Sequence, residues 1–159
     1  MHDYLDETHE VIAYPYDWRK SLPDLGTQLA ADLRKQLGKR PKRSIRLLAH
    51  SMGGLVIRAA FKQDPTLWKA LVEQADGLVV MLGTPNHGAY SMVETLLGQS
   101  DTIRMLARVD LQNNLKKILQ IVAEFPGALH LLPAPGFEDV GGGRFLWRCQ
   151  LEPACAQER

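Results

Sequence analysis

The run Ile45-Arg46-Leu47-Leu48-Ala49-His50-Ser51-Met52-Gly53-Gly54-Leu55-Val56 constrains this chain more than any other. It reads as a buried strand, a tight turn of small residues about one serine, and an apolar helix. A strand that reverses directly into a helix needs small side chains two residues either side of the turn, because the helix folds back over the strand. Gly53 meets that need on one side, and Ala49 stands on the other where the Gly-x-Ser-x-Gly pattern has glycine. Such an elbow lifts a serine hydroxyl to the C-terminal edge of a sheet and aims a helix N-terminus at it. Ser51 is therefore the candidate nucleophile of an acyl-transfer or ester-cleaving reaction.

The rest of the composition sets bounds. With 159 residues the chain is the size of one domain, and 45% apolar against 23% charged residues suits a soluble globular protein. A net charge of +1 gives no field to recruit nucleic acid or an anionic surface. The two cysteines, Cys149 and Cys155, could close a small loop, but reduced thiols in a poorly ordered tail are the expectation. The start, Met1 to Glu7, is acidic and has no apolar signal core, and no stretch approaches a membrane span, so a cytoplasmic location is favoured. No Cys/His spacing supports a metal and no Gly-rich loop supports a nucleotide, so no cofactor is expected.

Strand and helix patterns alternate through the first ninety residues. Val11 to Tyr16 is β-prone. Ser21 is placed as an N-cap, with Pro23 in the first turn and Asp24 three residues after the cap. Leu22, Leu25, Leu29, Leu33 and Leu37 then form one helical stripe up to Gly38. The elbow strand follows, with a helix to about Gln63 and another over Pro65 to Gln74. Asp76 to Gly83 is a third strand, apolar on both faces as parallel strands covered on both sides are. The order implies an α/β layered sheet with parallel strands and helices on both faces.

Beyond Gly83 the pattern changes. Thr84 to Ala89 is a loop, and the chain is mostly helical from Met92. Val93, Leu96 and Leu97 mark a short helix. Leu111, Leu115, Ile118, Leu119 and Val122 mark a longer amphipathic one ending near Phe125-Pro126-Gly127. This stretch, 91–132, reads as a lid-like insertion whose apolar face either packs on the domain or touches a lipid surface. From Pro133 the chain is rich in Pro and Gly and aperiodic, which predicts a loop or disordered tail over 134–159. The core strands and elbow then occupy 8–90 of a domain spanning 1–133.

The ordered set Pro15-Tyr16-Asp17-Trp18-Arg19, Ala49-His50-Ser51-Met52-Gly53-Gly54 and Gly83-Thr84-Pro85-Asn86-His87-Gly88 resembles α/β-hydrolases, and the first segment resembles their lecithin:cholesterol acyltransferase-like lipase branch. The resemblance covers about residues 9–133. It implies a serine ester hydrolase or O-acyltransferase of lipid metabolism working through an acyl-Ser51 intermediate on an ester or lipid substrate. It gives the backbone N–H of Met52 the role of oxyanion donor and sets Asp17, Thr84, Pro85 and His87 along the pocket. Asp17 and Arg19 form either a structural ion pair beside the site or part of its wall. Water as acceptor gives hydrolysis, and an alcohol gives acyl transfer.

The same resemblance exposes what is missing. The second oxyanion donor belongs to a His- and Gly-rich loop before the Tyr16-Asp17-Trp18-Arg19 strand, and no such motif precedes it. The family order is Ser, then an acid, then His. After Ser51 the histidines are His87, in a loop that lines the site in relatives, and His130, which precedes any further strand-plus-acid signal; the Glu138-Asp139 pair has no histidine after it. His50 adjoins the serine and is expected below the sheet. The strand bearing the missing loop would also lie between Val11–Tyr16 and the elbow strand, leaving a gap of one ~4.8 Å spacing. The expectation is a partial domain, inactive as this isolated chain, with the acid and base in a longer parent or lost. The alternative is a non-catalytic remnant acting as an interaction module. The basic cluster Lys35, Lys39, Arg40, Lys42 and Arg43 reads as a solvated helix end, with an anionic headgroup site as the alternative.

Overall fold

The computed structural model describes residues 9–39, 44–74 and 76–134. Arg40, Lys42 and Arg43 of the basic cluster, both cysteines, the Glu138-Asp139 pair and the tail beyond Ala134 lie outside these residues.

Helix α1 spans Leu22–Lys39 and starts where the capping signal placed it. Ser21 Oγ accepts the Asp24 N–H at 3.2 Å and its hydroxyl donates to Asp24 Oδ2 at 2.6 Å, so cap and third residue satisfy each other. The leucine stripe turns inward: Leu25, Leu29 and Leu33 are buried, and Leu22 and Leu37 pack at the margin of the same cluster. Each fully buried leucine contributes about 1.5–3 kcal/mol, so this stripe fixes which face of α1 meets the rest.

Strand β1, Arg46–His50, leads through Ser51 into α2, Met52–Gln63. Helix α2 packs on α1 and buries Met52, Leu55, Val56, Ile57 and Ala60. The expected helix over Pro65 to Gln74 is divided. Asp64 caps α3, Pro65–Trp68, by accepting the Leu67 N–H at 3.1 Å, and the chain then widens into a π-helical turn, Lys69–Gln74. Arg34 of α1 grips Asp64 at 2.7 and 2.8 Å and, chiefly through those hydrogen bonds, holds its carboxyl well below the usual range. Leu67 and Leu71, both fully buried, bring this segment into the core.

Strand β2, Leu78–Leu82, pairs with β1 in parallel, Arg46 opposite Leu78 through His50 opposite Leu82. The result is a helix-rich α/β fold about a two-stranded parallel sheet. Two sequence expectations are corrected here. The β-prone run Val11–Tyr16 forms no strand: no strand among the described residues offers it a ladder, and Ile12 and Tyr14 are exposed. The Tyr14 hydroxyl instead donates to Asp32 Oδ2 of α1 at 3.1 Å, and burial together with that carboxylate pushes the phenol up to about 12. The second correction concerns coverage of the sheet. Leu47, Ala49, Val79 and Met81 face the helices, whereas Leu48, Leu78 and Leu82 remain 44%, 50% and 45% exposed. His50 shares this open side and is exposed rather than packed below the sheet, because among the described residues nothing covers that face.

After β2 come α4 (Tyr90–Leu96), α5 (Asp101–Val109), α6 (Leu115–Ala123) and α7 (Pro126–Leu129). Helix α6 begins later than the leucine spacing predicted. The Asp110 carboxylate accepts the N–H groups of Gln112 and Asn113, and Asn114 Oδ1 caps α6 through the Lys117 N–H at 3.0 Å, so Leu111 is left in the link, 98% exposed. Helix α5 buries Ile103 and leaves Met105, Leu106 and Val109 outward. No helix among the described residues is long and apolar enough to cross a membrane.

Candidate functional site

The site is built from the end of β1 upward. The Ser51 N–H donates to the Leu82 carbonyl at 2.8 Å, which carries the strand pairing one residue past His50 before the chain turns. Ser51 then takes φ 52° and ψ −128°, and α2 starts at the next residue. A non-glycine residue in this region costs about 1–3 kcal/mol and persists where its surroundings hold it. Here the holding contacts are the bond to Leu82 and a bond from the Gly54 N–H to the Ser51 carbonyl at 3.1 Å. The Ser51 hydroxyl makes no capping bond to α2. The N–H groups of Met52 and Gly53, in the first helical turn, have no intrahelical acceptor and share the positive end of the helix dipole.

Thr84, just past β2, lies against the elbow. A Cβ on Gly54 would overlap Thr84 Oγ1, and that oxygen is buried without a hydrogen-bond partner. Pro85 follows half-buried, its carbonyl accepting the Gly88 N–H at 3.0 Å. His87 is exposed further along the loop, which is tied to the chain beyond α7: the Ala134 N–H donates to the His87 carbonyl at 3.1 Å and the Ala89 N–H to the Leu131 carbonyl at 2.7 Å. Arg58 of α2 donates to Asn86 Oδ1 at 2.7 Å and steadies the same loop. His130 is used at another point. Its Nδ1 accepts the Leu22 N–H at 3.2 Å, so this ring serves the start of α1.

The Tyr16-Asp17-Trp18-Arg19 segment is a turn. The Lys20 N–H donates to the Asp17 carbonyl at 3.0 Å, and the Arg19 guanidinium clasps the Asp17 carboxylate at 2.8 and 2.9 Å. Those hydrogen bonds, joined by the Arg19 backbone N–H, pull the Asp17 carboxyl down to about 2, so it is ionised at neutral pH. Trp18 meets Phe125 edge-on at 5.5 Å and 88°, and the Arg19 guanidinium lies 5.9 Å from the same ring. Helix α7 holds Phe125 there: the Gly127 N–H donates to the Arg19 carbonyl at 3.1 Å, and any Cβ on Gly127 would overlap the Trp18 carbonyl oxygen. Pro15 to Arg19 and Phe125 line an open depression of about 740 Å³.

The structure therefore brings Ser51, Met52 and Thr84 together at the elbow and places Asp17 in the neighbouring depression, with Pro85 and His87 along the loop. Tyr16 joins the two parts. It lines the depression, and its hydroxyl lies 3.7 Å from where a Cβ on Gly53 would be. Tyr16 and Phe125 were not singled out from sequence. Tyr16 read as the end of a strand and Phe125 as the end of a helix, and nothing local signals that distant segments meet there.

The family model described as lecithin:cholesterol acyltransferase matches residues 5–152, nearly the whole chain. The chain belongs to that family. The match spans the described helices and runs on past residue 133, and it sets the chain on the lipase-like branch, among acyltransferases and lipid hydrolases of lipid metabolism. No curated protein and no solved structure is similar enough to match it.

Proposed function

We propose that Ser51 is the acyl-accepting nucleophile of a lipid O-acyltransferase or ester hydrolase, with the Met52 N–H as an oxyanion donor. The observation that carries this reading is the backbone of Ser51. A serine in a costly conformation, between a parallel strand and a helix N-terminus, is a serine whose hydroxyl is presented rather than packed. Attack by Ser51 Oγ on an ester carbonyl would place negative charge beside the first amides of α2, where the helix dipole favours it. Asp17, Thr84, Pro85 and His87 would border the substrate. The 91–132 helices would act as a cover over the site, since α7 returns Phe125 to the Asp17 turn.

The second proposal is that this chain alone turns esters over poorly. His130 Nδ1 is engaged with α1, and among the described residues the Ser51 hydroxyl makes no capping bond and has no triad-like partner. Without a base and its orienting acid, an acyl-transfer serine retains only the contribution of binding and oxyanion donors, a ~10³–10⁴-fold advantage over water in a serine protease. Slow chemistry at Ser51 and no efficient turnover by this chain alone are expected.

A fluorophosphonate probe with a fluorescent alkyl chain tests both parts. The 159-residue chain is expected to label slowly, Ser51→Ala not at all, and neither to turn over a p-nitrophenyl ester above background. Equal labelling of the two proteins would remove Ser51 as nucleophile and leave a non-catalytic α/β remnant as the better description. Rapid ester turnover would show a base acting on Ser51 and overturn the second part.

A further inference from the structure

We propose that the Tyr16 hydroxyl is a second oxyanion donor, a catalytic residue that hydrogen-bonds the developing alkoxide at Ser51 together with the Met52 N–H. The proposal rests on the nucleophile reading above and adds to it the side chain that completes the oxyanion site.

Geometry is the starting point. Tyr16 precedes the Asp17–Arg19 turn, and its ring packs at the margin of the core. The phenolic oxygen lies 3.7 Å from the position of a Gly53 Cβ, beside the Ala49 methyl, which is 3.5 Å from that position. Gly53 is the second residue of α2 and follows Met52 in the chain, so the hydroxyl stands beside the first turn of that helix. Residue 53, being glycine, puts no side chain of its own between the phenol and the first turn of α2. Tyr16 is half-buried, and no described residue hydrogen-bonds its hydroxyl. The contrast with Tyr14 is informative: that hydroxyl is spent on Asp32.

Chemistry supports the same role. Burial raises the Tyr16 phenol above its ordinary value, so at neutral pH it keeps the proton it would donate. When Ser51 Oγ attacks an ester carbonyl, the Oγ–C bond forms, the carbonyl π pair moves onto oxygen, and the serine proton passes to solvent base. The oxyanion then accepts from the Met52 N–H and the Tyr16 O–H. Collapse restores the carbonyl, expels the alcohol oxygen and returns a proton to it from solvent. Tyr16 keeps its proton throughout. The same side chain lines the aromatic depression, so it stands where an acyl chain against Trp18 and Phe125 would connect to its carbonyl.

The test compares Tyr16→Phe with the unchanged chain, Ser51→Ala and Tyr14→Phe, measuring fluorophosphonate labelling over a range of probe concentrations. In this reaction the Oγ–P bond forms and fluoride leaves, with phosphoryl oxygen taking the oxyanion position. Tyr16→Phe keeps the ring and removes the donor. It is expected to lower the limiting labelling rate about tenfold or more, a single donor in a competent serine enzyme being worth ~10²–10³-fold, while leaving the half-saturating probe concentration and the helical circular-dichroism signal unchanged. Tyr14→Phe is expected to label like the unchanged chain. Labelling of Tyr16→Phe at the unchanged rate, a shift in half-saturation alone, an equal fall in Tyr14→Phe, or a fall matched by loss of helical signal would each overturn the role while Ser51-dependent labelling stands. Equal labelling of the unchanged chain and Ser51→Ala would overturn the nucleophile reading, and Tyr16 with it.

Discussion

Gly53 and Gly54 adjoin in the chain but face different neighbours. A Cβ on Gly53 would sit 3.5 Å from the Ala49 methyl and 3.7 Å from the Tyr16 hydroxyl, ordinary contact distances. A Cβ on Gly54 would overlap Thr84, at the end of the adjoining strand. Gly53→Ala is therefore expected to leave stability unchanged or raise it by up to ~1 kcal/mol, since alanine costs less than glycine in a helix. Gly54→Ala is expected to lose about 1–3 kcal/mol through overpacking against the Thr84 side chain. Urea titration of the two variants checks this, and a larger loss for Gly53→Ala would invert the packing account. The pattern around Ser51 gave the need for small residues in this turn. Which glycine carries the tighter approach depends on Thr84, and no local pattern contains that partner.

At the scale of elements, three stretches explain where the sequence was readable. Helix α1 was legible because its cap, its leucine stripe and its burial agree. The Val11–Tyr16 run was misread because β-propensity records a side chain that suits a half-buried pleated surface, and a strand exists only when a neighbour shares its hydrogen bonds. Helix α6 starts later than its leucine spacing predicts because the Asp110 and Asn114 side chains bind nearby N–H groups and set its start. The docking of α7 on the Asp17 turn was invisible for another reason: it depends on Gly127 lying flat against a carbonyl more than a hundred residues away. Gly127→Ala is expected to separate α7 from that turn, cost ~2–3 kcal/mol and expose Trp18 further, because the overlap is with backbone that cannot rotate away. Quenching of tryptophan fluorescence by iodide measures the exposure, and unchanged quenching with an unchanged melt would show that α7 does not depend on this approach.

For the whole molecule, the two-stranded sheet is the governing fact. Small sheets are marginal in water unless packed on a hydrophobic partner, and here the helices supply one on a single face while Leu48, Leu78 and Leu82 stay half exposed on the other. The isolated chain is expected to melt broadly, with a calorimetric enthalpy below the ~0.7 kcal/mol per residue usual near 60 °C, and to bind a hydrophobic dye before melting. A sharp melt of full enthalpy without dye binding would contradict that and argue for a self-sufficient domain. By itself the sequence determined the local and periodic features: the strand–Ser51–helix order, the capped leucine-striped α1, the parallel pairing class and the family, because each is written in residues close together or regularly spaced. Only the tertiary structure decided that, among the described residues, Val11–Tyr16 lacks a ladder and one sheet face is open, that His130 serves α1, and that Tyr16 and Phe125 line one depression. Those outcomes depend on which distant backbone groups find partners, a competition among segments that no window of sequence contains.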